Sequence, residues 1–394
     1  MKFKSIEDVV LEYKRVLLRV DFNVPIKSGK VADDYKIIRT LPTIKYLLKN
    51  RCQIILVSHL GRPGGKTVSA LSLAPVCAEL RRHLPGASIR FIKDKINVKL
   101  VAKVRQDFTN DDIVFLENIR FDKREGKNSP VFAAILAKLA RVYVNEAFAV
   151  SHRACASMVA ISRFIPCFAG LNVSAEVEYL SKVLAPKSPS IAIIGGAKIK
   201  TKMKVVDRFL KIYDQVLFGG GCANTILFAK GFGVGGSLVK EKEAEKIKPL
   251  LKSKKIILPI DLVVCDKNMR RKPRVVEVGK NKKLCVRSEM IFDIGPATMK
   301  LYSNMIRQAK TIIWGGPMGL LEDKRFRHGS IVVAKAIGAV ASGRALGIAG
   351  GGETLYAIHM AKAEKYFDFV STGGGAMLEF LEGKELPGLQ AIKQ

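Results

Sequence analysis

Residues Phe369–Phe380 form the stretch FVSTGGGAMLEF, in which an apolar run ends in three consecutive glycines. Glycine loses more conformational freedom on folding than any other residue, so such a run needs a reason, and a close approach of the backbone to a ligand is one. Four other segments repeat the arrangement: IIGGAKIK (193–200), LFGGGCANT (217–225), IIWGGPMG (312–319) and IAGGGETL (348–355). Each predicts a strand that ends in a glycine loop.

Short apolar runs alternate with helical segments along the whole chain. They lie at 16–22, 54–59, 113–118 and 142–148 in the first half, and at 191–196, 215–220, 256–264, 311–316, 345–351 and 367–374 in the second. Buried runs alternating with helices predict parallel sheets of βαβ units. Between the two sets lies a helical stretch, Asn172–Leu184, followed by APKSPS, a composition typical of domain boundaries. The sequence thus predicts an α/β fold of two doubly wound domains joined by a helix.

Composition narrows the class of protein. The chain has 394 residues, of which 48% are hydrophobic, and the start MKFKSIEDVVLEYK lacks a secretory pattern. Seven cysteines without CxxC spacing favour reduced thiols in a cytoplasmic protein and argue against structural zinc. The net charge of +32 leaves three interpretations open: nucleic-acid binding, a solvated basic surface, or attraction of anionic substrates.

The glycine loops indicate a polyphosphate site. Each junction would present backbone N–H groups at a helix N-terminus, where the dipole also favours an anion. Lys198 and Lys202 are four residues apart and would share one face if a helix begins there. Glu322 and Glu353 offer carboxylates for a ribose hydroxyl or for magnesium.

The predicted strand ends of the first half carry a different set of residues, which favours a compact anion: Asp21, Asn23, His59, Arg62, Arg120, His152 and Arg153. A polyphosphate site in one domain and a compact-anion site in the other describe a phosphotransferase. Such chemistry requires positioning and charge neutralisation more than covalent help.

The chain resembles phosphoglycerate kinases over essentially its whole length. The matching strings, in the family's order, are RVDFNVP, SHLGRP, LENIRF, HRA, GGAK, GGGCANT, DIGPATM, GGPMG, GGGETL and STGGGA…ELPG. The resemblance implies reversible transfer of the ATP γ-phosphoryl to 3-phosphoglycerate, giving 1,3-bisphosphoglycerate and ADP. It also implies Mg²⁺ and a monomer of two Rossmann-like domains that closes by a hinge. A first domain, residues 1–171, would bind 3-phosphoglycerate, and residues 381–394 would pack back on it. A helix at 172–185 would connect it to a second domain, residues 186–380, which would bind the nucleotide.

The resemblance also implies roles for individual residues. Those that would hold 3-phosphoglycerate are Asp21, Asn23, Lys36, His59, Arg62, Arg120 and Arg153. Those that would meet the nucleotide are Gly196, Lys202, Gly219, Gly220, Gly295, Pro317, Glu322, Gly351, Gly352, Glu353 and Thr354, with Glu353 as the metal ligand. Lys36, Lys198, Gly351 and Gly374 would act on the phosphoryl in transfer, and Gly373–Gly375 would place N–H groups beside it.

Three positions depart from the family pattern near the expected chemistry. Lys36 stands where the resemblance predicts an arginine, Glu353 replaces an aspartate and Gly315 an asparagine; Cys155, Glu146 and Ala149 differ as well. Lysine keeps the charge but lacks the planar fork of arginine. Two alternatives remain open at this point. The substitutions at Lys36 and Gly315 motivate a divergent enzyme that acts on another small carboxylate, and the charge of +32 motivates a primary nucleic-acid-binding role, which we do not expect.

Overall fold

The computed structural model describes residues 3–107, 112–279, 281–341 and 343–393. The chain divides into two compact units. The first comprises Met1–Glu178 and Lys384–Gln394, and the second comprises Tyr179–Gly383.

The first unit is built on a six-stranded sheet in which every neighbouring pair is parallel. The strands of the unit are β1 Arg15–Val20, β2 Ile26–Lys27, β3 Lys30–Val31, β4 Gln53–Val57, β5 Ile89–Ile92, β6 Ile113–Leu116, β7 Val142–Glu146 and β8 Cys167–Ala169. The sheet order is β5-β6-β4-β1-β7-β8, while β2 and β3 form a separate hairpin. The central strands are buried along nearly their whole length, because helices cover both faces of a parallel sheet.

The helices of the first unit are α1 Tyr35–Lys49, α2 Ala74–His83, α3 Val98–Asp107, α4 Lys123–Gly126 and α5 Pro130–Ala137. A further helix, α6 Leu171–Leu184, contains the boundary between the two units at Glu178 and Tyr179.

The second unit repeats the plan. Its strands are β9 Ser190–Ile194, β10 Gln215–Phe218, β11 Gly233–Val234, β12 Ile256–Ile257, β13 Asp261–Asp266, β14 Arg274–Glu277, β15 Lys283–Cys285, β16 Glu289–Ile294, β17 Thr311–Gly315, β18 Leu346–Gly350 and β19 Phe369–Ser371. The helices are α7 Met203–Ile212, α8 Gly220–Ala229, α9 Glu241–Ile247, α10 Pro296–Gln308, α11 His328–Ala341, α12 Gly352–Met360 and α13 Gly375–Leu381; the last helix, α14 Pro387–Gln390, belongs to the first unit. A six-stranded parallel sheet runs in the order β12-β10-β9-β17-β18-β19.

The predicted fold class, two doubly wound α/β domains, is confirmed. One strand prediction is wrong: the run 256–264 is two strands, and only β12 joins the parallel sheet. Pro259 lies between the two strands and has no N–H to continue a ladder. The second strand, β13, pairs antiparallel with β14 and β16 in a sheet of its own.

All seven cysteines are buried free thiols. No helix within the described ranges has both the length and the apolar character needed to cross a membrane.

Candidate functional site

The carboxyl ends of four strands in the first unit carry the predicted polar residues. Strands β6, β4, β1 and β7 are consecutive neighbours in the sheet. Asp21 and Asn23 follow β1, His59 and Arg62 follow β4, Arg120 follows β6, and Arg153 follows β7. Parallel strands end at the same edge of a sheet, so these six residues share one rim. Together with Lys36 from the first turn of α1, we call them the anion site.

Asp21 is the centre of the contacts in the anion site. Its Oδ2 accepts a hydrogen bond from Lys36 Nζ at 2.7 Å, and its Oδ1 lies 3.9 Å from His59 Nε2. Burial alone would raise the pKa of Asp21, but the Lys36 ammonium, together with hydrogen bonds from Lys36 and from the Asn23 N–H, outweighs burial and lowers that pKa to about 2. Burial lowers the pKa of His59 well below its ordinary value, so its ring is neutral near pH 7. Lys36 is therefore the cation that keeps Asp21 ionised.

The backbone of Gly61 fixes two other members of the site. Its N–H donates to Asn23 Oδ1 at 2.9 Å, and its carbonyl accepts from Arg120 Nη1 at 2.7 Å. Burial lowers the pKa of Arg120 to about 10, and repulsion from Arg19 and Arg153 contributes. A group of cations that repel one another is stabilised when an anion binds among them.

Arg62 and Arg153 are the two exposed cations of the anion site. Arg153 Nε lies 3.3 Å from Nε2 of its neighbour His152. Both side chains are thus accessible from solvent.

Arg19 is a residue of this site that sequence reasoning missed. Its side chain is fully buried, with Nη2 3.2 Å from His59 Nδ1, and its Nε donates to Ser157 Oγ at 2.9 Å. The Ser157 hydroxyl donates in turn to the buried carboxylate of Glu125 at 2.7 Å. A charged residue within the apolar run VLLRVDF is the signal that could have identified it, since buried arginines are rare unless paired.

In the second unit, all five glycine segments lie at the carboxyl ends of strands of the parallel sheet. Each loop contains one glycine with a positive φ, a conformation that other residues rarely adopt. These are Gly196 (φ 85°), Gly220 (φ 55°), Gly316 (φ 98°), Gly351 (φ 104°) and Gly374 (φ 50°). The glycine runs are therefore required by the turns themselves, and no side chain forms an N-cap hydrogen bond to α8, α12 or α13.

A cavity of about 310 Å³ opens beside these loops. Its lining includes five residues predicted for the nucleotide: Gly196, Gly220, Pro317, Glu322 and Glu353. Its apolar wall was not predicted and comes from β13, β16 and neighbouring loops: Leu238, Leu262, Met290, Phe292 and Leu320. An apolar wall with a few polar groups at one end is typical of a ligand cavity. We call it the nucleotide cavity.

Lys202 lies over the glycines at the polar end of this cavity. Its Nζ donates to the carbonyl of Gly195 at 2.5 Å, and a Cβ built on Gly196 or on Gly316 would come within 3 Å of that nitrogen. The same Cβ on Gly196 would lie 3.7 Å from Glu353 Oε2. A cation and a carboxylate therefore flank one glycine surface.

Lys198 and Lys202 would share one helical face only if a helix began at or before Lys198, and the helix begins later. Lys198 precedes a short 3₁₀ turn, Ile199–Thr201, and α7 starts at Met203 with Lys202 as its N-cap. The glycine turn at 195–196 leaves too little chain for a helix before residue 199. Lys198 has an extended backbone and does not share a helical face with Lys202.

At three other positions predicted to meet the nucleotide, contacts within the protein explain why that residue type is present. A Cβ on Gly295 would lie 2.2 Å from Asp261 Cγ, and a Cβ on Gly219 would lie 2.4 Å from Met318 Sδ. Thr354 is fully buried, and its Oγ1 accepts from the N–H of Gly316 at 2.7 Å. None of the three lines the nucleotide cavity.

Gly352 and Gly374 have open space around them. A Cβ on either would meet nothing within 4 Å. Packing therefore does not explain these two glycines, which leaves room for a ligand beside the N-termini of α12 and α13.

Comparison with known proteins identifies the family. The profile of the family described as phosphoglycerate kinase matches residues 6–384. The chain belongs to the phosphoglycerate kinase family. A phosphoglycerate kinase of Clostridium botulinum is 41% identical over 396 residues, which cover 99% of this chain and 98% of the relative. One of Moorella thermoacetica is also 41% identical, over 397 residues that cover 99% of both chains.

Solved structures agree. That of phosphoglycerate kinase from Coxiella burnetii has a TM-score of 0.84 at 36% identity and covers 99% of both chains. That of the Pyrococcus horikoshii phosphoglycerate kinase has a TM-score of 0.86 at 31% identity and covers 99% of this chain and 98% of the other. Members of the family are glycolytic kinases that act on a carboxyl group.

Within this family pattern, Arg39 does not replace the missing arginine at position 36. It lies one turn along α1, and its Nη2 is 3.4 Å from Asn172 Oδ1 at the start of α6. The guanidinium thus contacts α6, whereas Lys36 contacts Asp21.

The residues beside the glycine loops fit the divalent cation that the family resemblance implies. Glu353 is an exposed carboxylate in the first turn of α12, beside the glycine surface that Lys202 flanks. Mg²⁺ takes hard oxygen ligands and is often held by one carboxylate together with water and substrate phosphates. Glu353 can supply that one ligand.

Proposed function

We propose that this protein catalyses the reversible transfer of the γ-phosphoryl of ATP to the carboxylate of 3-phosphoglycerate. Membership of the phosphoglycerate kinase family carries the proposal, because it accounts for both sites at once. The anion site would bind 3-phosphoglycerate, with Arg62, Arg120 and Arg153 on its phosphate. The nucleotide cavity would bind ATP or ADP, with Glu322 on the ribose.

The proposed roles in transfer come from the family resemblance, and the charges of the side chains support them. Lys202 would neutralise the nucleotide phosphates, and Lys36 and Lys198 would stabilise the charge that develops on the phosphoryl group. The N–H groups around Gly351 and Gly374 would donate hydrogen bonds to it. Mg²⁺, held by Glu353, would shield the phosphate charge when bound.

Several finer statements belong to the same proposal. The protein would act as a cytoplasmic monomer and would close by a hinge movement, since transfer requires the two substrates to meet. The seven free thiols are compatible with a reducing compartment.

The test is a coupled assay of purified protein with ATP, 3-phosphoglycerate and Mg²⁺. We expect transfer that stops when Mg²⁺ is chelated and that saturates with both substrates. Absence of transfer to 3-phosphoglycerate would contradict the proposal. A panel of other small carboxylates tests the divergent-enzyme alternative, which the substitutions at Lys36 and Gly315 motivate; a better acceptor in that panel would favour it.

A further inference from the structure

A second cleft in the first unit lies at the opposite edge of its sheet from the anion site. It has a volume of about 700 Å³. Arg15 and Gln53 are the first residues of β1 and β4, Arg141 directly precedes β7, and all three line the cleft. The anion site lies at the carboxyl ends of the same strands, so the two sites are separated by the length of the sheet.

The lining of this cleft is strongly positive. Five of its residues are cationic: Lys14, Arg15, Arg105, Lys138 and Arg141. None of the other described residues that line it is acidic. Burial lowers the pKa of Arg15, and repulsion from Arg105 and Arg141 adds to the effect. We call this cleft, which these five cations line, the basic cleft.

Two exposed aromatic rings border the basic cleft. Tyr13 is 63% exposed and Phe164 is 46% exposed, and both belong to its lining. The Arg51 guanidinium lies over the Tyr13 ring, 5.4 Å from its centroid, which restricts the ring from one side. Both rings are therefore accessible to a ligand that occupies the cleft.

We propose that the basic cleft binds single-stranded nucleic acid, as a role additional to phosphoryl transfer. Cations in a groove follow a phosphate backbone, and aromatic rings at its edge stack on unpaired bases. A duplex would offer phosphates but no exposed base faces to Tyr13 and Phe164. A lipid surface fits less well, because these cations line a concave cleft that a flat bilayer cannot enter.

The experiment measures binding of fluorescein-labelled oligonucleotides of about 12 nucleotides to the full chain by fluorescence anisotropy. The probes are one single-stranded RNA, the DNA of the same sequence and the corresponding DNA duplex. We expect tighter binding to the single strands than to the duplex at about 0.15 M salt. The two single-stranded probes show whether ribose hydroxyls contribute, because RNA and DNA share phosphates and bases.

The decisive variant neutralises the three exposed cations Lys14, Lys138 and Arg141 with glutamine. If each contacts one phosphate, the slope of log K against log salt should decrease by about 2 for single strands. The matched control replaces Lys242, Lys252 and Lys254, exposed lysines of the second unit, with glutamine and so changes the net charge equally. It should bind nearly as the parent does, and both variants should keep the kinase activity of the parent.

A second variant, Phe164→Ala, tests stacking separately from charge. We expect it to weaken binding of single strands by about tenfold and to leave duplex binding unchanged. Equal loss of affinity in the cleft variant and its control would overturn the proposal in favour of non-specific attraction by the +32 charge. Tighter binding to the duplex, binding only to vesicles of anionic lipid, or no binding at about 0.15 M salt would also overturn it.

Discussion

At position 36 the chain carries an ammonium where the family resemblance predicts a guanidinium. Lys36 Nζ is already engaged by Asp21 Oδ2 at 2.7 Å. An ammonium is a compact point charge, whereas a guanidinium presents five donors in a plane and can bind two partners side by side. In the role proposed for it, Lys36 would have to share its one ammonium group between Asp21 and the phosphoryl oxygens.

We expect Lys36→Arg to raise kcat severalfold, because one edge of the guanidinium can stay on Asp21 while the other binds the phosphoryl group. The side chain of Lys36 is 30% exposed, so the larger group has room. Steady-state rates with ATP and 3-phosphoglycerate measure the effect. Lys49→Arg, an exposed position on the same helix, is the control. An unchanged or lower kcat would mean that Lys36 is already adequate.

We expect Arg19 to act through His59 as a positioning residue, because Arg19 Nη2 lies 3.2 Å from His59 Nδ1 and its Nε donates to Ser157 Oγ. Ser157→Ala removes the acceptor of the buried Arg19 Nε–H, which should lower the free energy of unfolding by about 1–3 kcal/mol.

We also expect Ser157→Ala to raise KM for 3-phosphoglycerate severalfold with little change in kcat, since a displaced His59 weakens binding of ground state and transition state alike. Ser157→Thr, which retains a hydroxyl, should restore KM. The part-buried Ser162→Ala is the control for loss of a hydroxyl, and a fall in kcat alone would contradict the positioning role.

At the scale of elements, Glu146 joins α1 to the start of α6. It ends β7, is almost fully buried, and its Oε1 accepts from Thr43 Oγ1 on α1 at 2.5 Å and from the Asn172 N–H at 3.2 Å. Its Oε2 has no hydrogen-bond partner within the described part of the chain. Burial raises the pKa of Glu146 to about 7, although these hydrogen bonds oppose the rise.

This raised pKa gives the stability of the first unit a definite dependence on pH. In the folded state Glu146 keeps its proton up to about pH 7, whereas its ordinary pKa is 4.5. The folded state therefore binds more protons in this window, and the free energy of unfolding falls as the pH rises through it. The rise in the pKa of Glu146 corresponds to a decrease of about 3 kcal/mol in the free energy of unfolding across this window.

Glu146→Gln removes the titration, so its free energy of unfolding should rise relative to that of the parent by up to about 3 kcal/mol between pH 5 and pH 8. Urea denaturation followed by circular dichroism measures the difference at each pH. The exposed Glu277→Gln is the control and should change in parallel with the parent. A difference between Glu146→Gln and the parent that does not vary with pH would contradict the raised pKa.

The strands that form continuous apolar runs could be predicted from the sequence, and the others could not. Strand β5, with the sequence IRFI, lies at the edge of its sheet and is only partly buried, so its apolar pattern is weak. The polar residues of the anion site were predictable because the carboxyl ends of parallel strands all lie at the same end of the sheet. The apolar wall of the nucleotide cavity was not, because it comes from strands such as β16, EMIFDI, whose antiparallel pairing depends on partners distant in the chain.

At the scale of the whole molecule, the charge of +32 must affect anionic substrates whatever else it does. ATP and 3-phosphoglycerate are both anions, and a positive field raises the rate at which such substrates encounter the protein. The field extends over about one Debye length, roughly 8 Å at physiological salt and about 30 Å at 0.01 M. Encounter should therefore depend on salt more strongly than the chemical step, which takes place among groups in direct contact.

We expect kcat/KM for 3-phosphoglycerate to fall by about tenfold or more as ionic strength rises from about 0.01 to about 0.15 M, with a much smaller change in kcat. Measuring the series in chloride and again in acetate separates screening from competition at the anion site. Screening depends only on ionic strength and gives the same decline in both salts, whereas a competing anion gives a decline that differs between them. A kcat/KM that is insensitive to either salt would mean that the basic surface does not steer substrates, and the excess charge would then need another explanation, of which the basic cleft is one.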